Sequence, residues 1–245
     1  MALAELSPQI RATAPAVVRL ALSKHAVTRV LLLSIVAIHL LNLPAVWLRY
    51  EVAPTFLRGV YVAIFSVSSE GKLPTWYSAV TLLVCAALLS VIAAARDGDP
   101  FRRHWSALAV IFGLMSLDEA TAIHEMLSQP LRARLNTSGP LFFAWVIPAM
   151  GFLVILALAY ARFMRALPRR TGGLFLLSGA VYVAGALGME MVGAQYADVH
   201  GATLAYGLLS TLEEVFEMSG IALFIDGLLD YLERHVACIE VPLQP

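Results

Sequence analysis

The sequence is poor in charge. Of its 245 residues, 14% are Asp, Glu, Lys or Arg, where a soluble domain carries roughly 25%. That shortfall argues against an ordinary soluble domain. Lys and Arg number 17 and so do Asp and Glu, which leaves the net charge at zero. No excess of one sign draws a polyanion, and no nucleic-acid partner is expected. Cysteine is scarce too. Cys85 and Cys238 are the only two, too few and too far apart for a disulfide framework or a zinc finger. The ten-residue alternating segments of a membrane β-barrel are also missing.

What the chain has instead is long apolar runs. Six stand out, at residues 30–48, 76–94, 105–126, 141–161, 174–196 and 202–224. Each is close to the roughly 20 residues that cross a bilayer as a helix. Lipid offers no hydrogen bonds, so a spanning backbone must satisfy its own, and a helix does so. The fold expected is therefore all-α: a polytopic transmembrane helical bundle of about six spans. With the N-terminus inside, 12 of the 17 basic residues fall on the inner side, which favours an N-in, C-in orientation. The first run lies too late and is too long for a cleaved signal, so it reads as a retained span.

The domain reading follows. Residues 1–29 form a basic cytoplasmic segment, 30–224 the six-helix membrane domain, and 225–245 a cytoplasmic helix extension and tail. FLRGVYVAIFSVS, between the first two runs, is too short to span comfortably and reads as an interfacial or re-entrant helix. Trp47, Trp76, Trp105 and Trp145 fall at or near run ends, where aromatic belts form. Pro44 and Pro148 lie inside runs and are expected to kink them. In DGLLDYLERHV, Asp226, Asp230 and Glu233 share one side and read as a solvated face.

The third run ends in SLDEATAIHE, which holds Asp118, Glu119, His124 and Glu125 and no Lys or Arg. The fifth run adds Glu190, and the sixth adds Glu213, Glu214 and Glu217. An isolated charge in the middle of a span costs about 2.5–3.5 kcal/mol on insertion scales, so six unpaired acids would oppose insertion by roughly 10–20 kcal/mol. At 1.5 Å per residue, Asp118, Glu190 and Glu213 fall in one slab, from the midplane into the outer half. His124 and Glu125 should lie about 9 Å above Asp118 on a straight helix. At 100° per residue, each acid-bearing helix has a polar face, and the simplest bundle turns these faces toward one another. Ser116-Leu117-Asp118-Glu119 and Thr211-Leu212-Glu213-Glu214 echo each other 95 positions apart, as in an inverted-repeat transporter or in two helices separately shaped for one site.

No Lys or Arg lies in the cores of these three runs. Protons, water or a bound cation must then offset the acids. Carboxylates with imidazole suit Fe, Zn or Mn, so a divalent metal is the cofactor expected. Its candidate ligands are Asp118, Glu119, His124, Glu125, Glu190, Glu213, Glu214 and Glu217. His39, Asp198 and His200 are further candidates. The Glu-x-x-His spacing of ferritin-like di-metal sites is missing. The leading expectation is a metal site in a membrane-embedded enzyme acting on a lipid or other apolar substrate. One alternative is a proton- or cation-coupled transporter using the same acids. Another is a non-catalytic subunit of a membrane complex.

The set EGKLPTWYSAVTLL, SLDEATAIHE and LEEVFEM resembles a widespread family of bacterial multi-pass membrane proteins with no assigned activity. The likeness covers most of the chain from the second run onward. It implies six helices and a bacterial inner-membrane location. Ser116, Asp118 and His124 are also similar to the Ser, Asp and His set of the membrane hydrolases that include alkaline ceramidases. That family's paired histidines in the last helix are missing here, where Glu213, Glu214 and Glu217 stand instead.

Overall fold

The computed structural model describes residues 23–67 and 71–236. Among these residues all regular structure is helical. Helix α1 (Lys24–Glu51) starts at Ser23, whose hydroxyl accepts the Ala26 N–H as an N-cap. Thr55 caps the short α2 (Phe56–Phe65) in the same way. Helix α3 (Leu73–Ala95) has Pro74 in its first turn, where a missing N–H costs nothing. Helices α4 (Arg102–Thr121) and α5 (Ile123–Leu135) meet at Ala122, where φ is +54° and the axis bends by 77°. Next come α6 (Val146–Ala166) and α7 (Arg169–Val183). A π-helical segment, Ala184–Met189, joins α7 to α8 (Glu190–His200). Gly201, at φ +71°, then turns the chain into α9 (Leu204–His235).

Four of these stretches are long and apolar enough to cross a membrane: α1, α3, α6 and the run from α7 through α8. The bent pair α4–α5 would make a fifth. Helix α9 has 32 residues, but Glu213, Glu214 and Glu217 lie close together in it, so length and apolarity alone do not make it a span. The expectation of six spans is thus met in part. The short apolar α2 lies where the interfacial or re-entrant helix was expected.

Helix α9 is the hub. It lies against α1, α3, α7 and α8, while α3 and α4 form a hairpin beside it. Aromatic rings fill the end of the bundle near Tyr231. Trp105 and Phe163 are almost fully buried there and meet edge to face at 4.9 Å, with Phe175 and Tyr231 beside Trp105. Trp105 is therefore a core residue rather than part of a belt. Trp47 and Trp76 are exposed, as belt residues would be. Asn42 is fully buried. Its amide donates to Thr211 Oγ1 (2.9 Å) and its oxygen accepts the Val67 N–H (3.0 Å), which ties α1 to α9 and to the chain after α2.

Two local expectations are overturned. Asp230 is not on a solvated face: it is 3% exposed. It contacts Lys24 at 2.9 Å and Arg170 and Arg234 at 3.1 Å each. Asp226 meets Lys24 at 3.1 Å and accepts from Thr28 Oγ1 at 2.7 Å. The reason is tertiary: α1 and α7 bring their cations to the one face of α9 that periodicity alone assigns to water. Pro148 needs no kink, because α6 begins at Val146 and places it in the first turn. Pro44 does lie inside α1. Cys85 is buried as a free thiol. Cys238, most of the basic N-terminal segment and the C-terminal tail lie outside the described residues.

Candidate functional site: an acid-lined cleft beside α6

Helix α6 is held at its two ends. Near its C-terminus Phe163 is buried among Phe101, His104 and Trp105, and the Tyr160 hydroxyl donates to the His104 carbonyl at 2.9 Å. At the other end Trp145, just before the helix, donates its indole N–H to Glu190 Oε1 at 2.7 Å. Between these ties lies a cleft of about 1000 Å³, walled by α4, α6, α7 and α9.

The lining divides along the cleft. Toward Phe163 it is apolar, with Leu108, Phe112, Leu156, Met164, Phe175 and Phe224. Toward Trp145 it holds Asp118, Glu119, His124, Glu125, Glu190, Glu213, Glu214 and Glu217. The structure therefore brings all eight principal sequence candidates to one cavity. Tyr182, Tyr206 and Ser210 line it with them.

Two irregularities build this acidic end. The first is the bend at Ala122. A straight helix would set His124 about 9 Å from Asp118 along the axis. The left-handed Ala122 instead folds His124 back. Its backbone N–H donates to Asp118 Oδ1 (3.0 Å), and its Nδ1 lies 2.7 Å from Asp118 Oδ2. The expected separation is thus corrected to direct contact. The carboxylate accepts, so Nδ1 donates, and in the neutral ring Nε2 is the acceptor.

The second irregularity is the π segment. Such bulges recur at functional sites. Here Gly185 lies so close to α9 that a Cβ would sit 2.8 Å from Glu217 Cγ and 2.9 Å from the Glu213 carbonyl. On α9, a Cβ at Gly220 would sit 2.7 Å from the Tyr182 nitrogen. This close approach sets Glu190 beside Glu213, and their side chains hydrogen-bond.

The echo between α4 and α9 has a structural meaning. Ser116 is buried and donates to the Ala79 carbonyl of α3 (2.7 Å), and Thr211 is buried against α1 through Asn42. Two residues on, about 200° around each helix, Asp118 and Glu213 line the cleft. In both motifs the hydroxyl serves helix packing and the acid serves the cavity. Ser116 therefore does not join Asp118 and His124 as a hydrolase set.

The further candidates lie elsewhere. His39 Nδ1 is 2.8 Å from the Ile35 carbonyl on α1, Asp198 accepts the Gly139 N–H at 2.7 Å, and His200 stacks on Tyr196 at 4.6 Å. None of the three lines the cleft. Among the described residues, no three or more His, Cys, Asp or Glu side chains are grouped to hold a metal ion. The geometry thus gives the expected divalent metal no support. The physical reason is pairing: both Asp118 oxygens engage His124, and Glu190 engages Trp145 and Glu213. Trp145 is the site residue that sequence reasoning misses. A tryptophan near a run end reads as a belt, and only its distance from Glu190 in space shows otherwise.

A family described as a domain of unknown function (DUF8692) matches residues 27–231. No curated protein and no solved structure matches the chain.

Proposed function

The chain belongs to the DUF8692 family, and from its cleft we propose a membrane-embedded protein that takes up a lipid-like amphiphile and acts on its polar end. The observation that carries this is the divided lining, apolar along one part and acidic along the other. An apolar pocket with a few convergent polar groups is the usual form of a small-molecule site. The apolar helices support membrane embedding. The contact of Asp118 with His124 supports acid–base work: the carboxylate orients the ring, and Nε2 can take or give a proton at the bound head group. The inner membrane of a bacterium fits this reading. A divalent metal lies outside it. Stoichiometric Fe, Zn or Mn in the purified protein, lost in Glu213→Gln, would bring the metal back.

The test is incubation of a total lipid extract with the purified protein and with His124→Asn, followed by mass spectrometry. The reading expects one lipid class to be retained by both proteins and altered by the parent alone. Retention of no lipid, with none altered, would end it. A second reading, coupled transport, draws on the breaks at Ala122 and Ala184–Met189, which stand beside Asp118 and Glu190. Transporters place ion and substrate sites at such discontinuous helices. Retention without alteration, together with pH-driven flux in liposomes, would favour it.

A further inference from the structure

Helix α6 stands apart from the bundle. Packed helices lie about 8–10 Å apart, axis to axis. Among the described residues, no helix packs along the length of α6. It is tied at Trp145 and again at Tyr160 and Phe163, and between these ties its inner face looks into the cleft. That face is continuous. Pro148, Phe152, Leu156, Tyr160 and Met164, at every fourth position, all line the cleft. Across the gap, α4 lines it at helical spacing from Leu108 to Met115. Ile155 and Leu158 are outside this lining, and each is more than half exposed.

What fills such a gap follows from its surroundings. Helix α6 is long and apolar enough to cross a membrane, and the medium around a spanning helix is hydrocarbon. A water in the apolar part would lack the 2–4 polar partners it needs. An unfilled gap would forgo dispersion contacts along both walls. An acyl chain exchanges one hydrocarbon setting for another and restores those contacts.

The wall also sets a length. Helix α6 has 21 residues, about 31 Å at 1.5 Å per residue, close to the roughly 30 Å hydrocarbon thickness. Leu156 is then about 15 Å from the Val146 end, at the midplane, and Met164 about 27 Å from it. The apolar wall therefore continues about 12 Å beyond the midplane. A lipid with its head at the Trp145 face ordinarily ends its chain at the midplane. The polar side chains of the lining gather at the Trp145 end, so the head belongs there.

Resting on the proposed cleft function, we propose that the ligand is a bilayer lipid that places one long acyl chain in the cleft, taken in sideways past α6 rather than from water. The chain lies extended along α6 and crosses the midplane toward Phe163. Selection is thus by chain length, because a short chain leaves the part beyond Leu156 unfilled.

The experiment uses the full chain in nanodiscs that contain a stearoyl lipid with a diazirine either at the chain end or next to the head. Irradiation is followed by mapping of the labelled residues. The chain-end probe should label Leu108 and Met164, and the head-side probe Trp145 and Pro148. A lauroyl probe with the diazirine at its chain end should label neither Leu108 nor Met164. Lipid that only surrounds the helix would instead mark Ile155 and Leu158, which lie near the midplane outside the cleft. Leu156→Trp, which fills the cleft at that level, should remove the label at Leu108 and Met164 and leave the label at Ile155 and Leu158. Chain-end label at Ile155 and Leu158 alone, or label in the reverse order along the cleft, overturns this inference. The cleft reading then still stands if a lipid class is retained from the total extract. No label in the cleft from any probe, with no class retained from the extract, overturns both.

Discussion

The molecule holds two sets of carboxylates, and it treats them in opposite ways. At the Lys24 end, Asp230 is almost fully buried and contacts three cations from three helices. In the cleft, Glu190 meets Glu213 and Asp118 meets His124, and among the described residues no Lys or Arg is in the lining. The first arrangement is closed. Every charge has an opposite charge of the same protein, and nothing further is required. In the second, acid meets acid at Glu190 and Glu213, and acid meets imidazole at Asp118 and His124. The first pairing serves assembly, and the second faces the space that the proposed amphiphile would fill.

The largest expected effect breaks the closed set. Asp230→Ala strips Lys24, Arg170 and Arg234 of a shared acceptor. Breaking a buried pair from one side costs about 3–5 kcal/mol. The lower end applies here, because Lys24 keeps Asp226. Thermal unfolding in detergent should show the loss. Acid should reproduce it without mutation. Burial alone would raise the Asp230 carboxyl, but Lys24, Arg234 and Arg170 outweigh it and hold the group at about 2. A carboxyl held below its ordinary value stabilises the fold above that ordinary value. The contribution is therefore whole at neutral pH and is lost as the pH falls from about 4 toward 2. A parent protein whose acid sensitivity in that window equals that of Asp230→Ala would contradict the closed set.

The next effect strikes the geometry of the second set. Gly220→Val puts a branched side chain where even a Cβ lies 2.7 Å from the Tyr182 nitrogen. Overpacking of this kind costs about 1–3 kcal/mol. It should also part Glu190 from Glu213, so amphiphile retention should fall further than the melting temperature suggests. The smallest effect on stability belongs to Glu213→Gln. The amide can keep a hydrogen bond to Glu190, so unfolding should shift by no more than about 1 kcal/mol. If the stability of this variant fell as far as that of Asp230→Ala, the contrast between the two sets would collapse.

Much of the helical layout is legible in the sequence, because an apolar run of about 20 residues has few uses other than spanning. The convergence of acids is legible too. Helical rise puts Asp118, Glu190 and Glu213 at one depth, and all three line the cleft. The break inside ATAIHE is not legible, since the stretch has neither Gly nor Pro to announce it. Ala122 adopts a conformation that costs roughly 1–2 kcal/mol in an L-residue, and the compensation is the double contact between His124 and Asp118. The pairing of Asp230 is hidden for a related reason. Its partners Lys24 and Arg170 lie far away in the chain, and helical spacing describes one helix at a time. The division of labour within [ST]-L-[DE]-E needs the neighbours as well, α3 for Ser116 and α1 for Thr211.

The tie between Lys24 and Asp230 also has a consequence in time. The two residues are 206 positions apart. A ribosome adding about 5–20 residues per second leaves roughly 10–40 s between the appearance of one and the other. During that interval the Lys24 ammonium is without its α9 partners, and α3 and α7 lack the helix that joins them. Helix α9 therefore completes both acid sets at once. A nascent chain stopped before α9 carries neither the Asp230 tie nor a finished cleft.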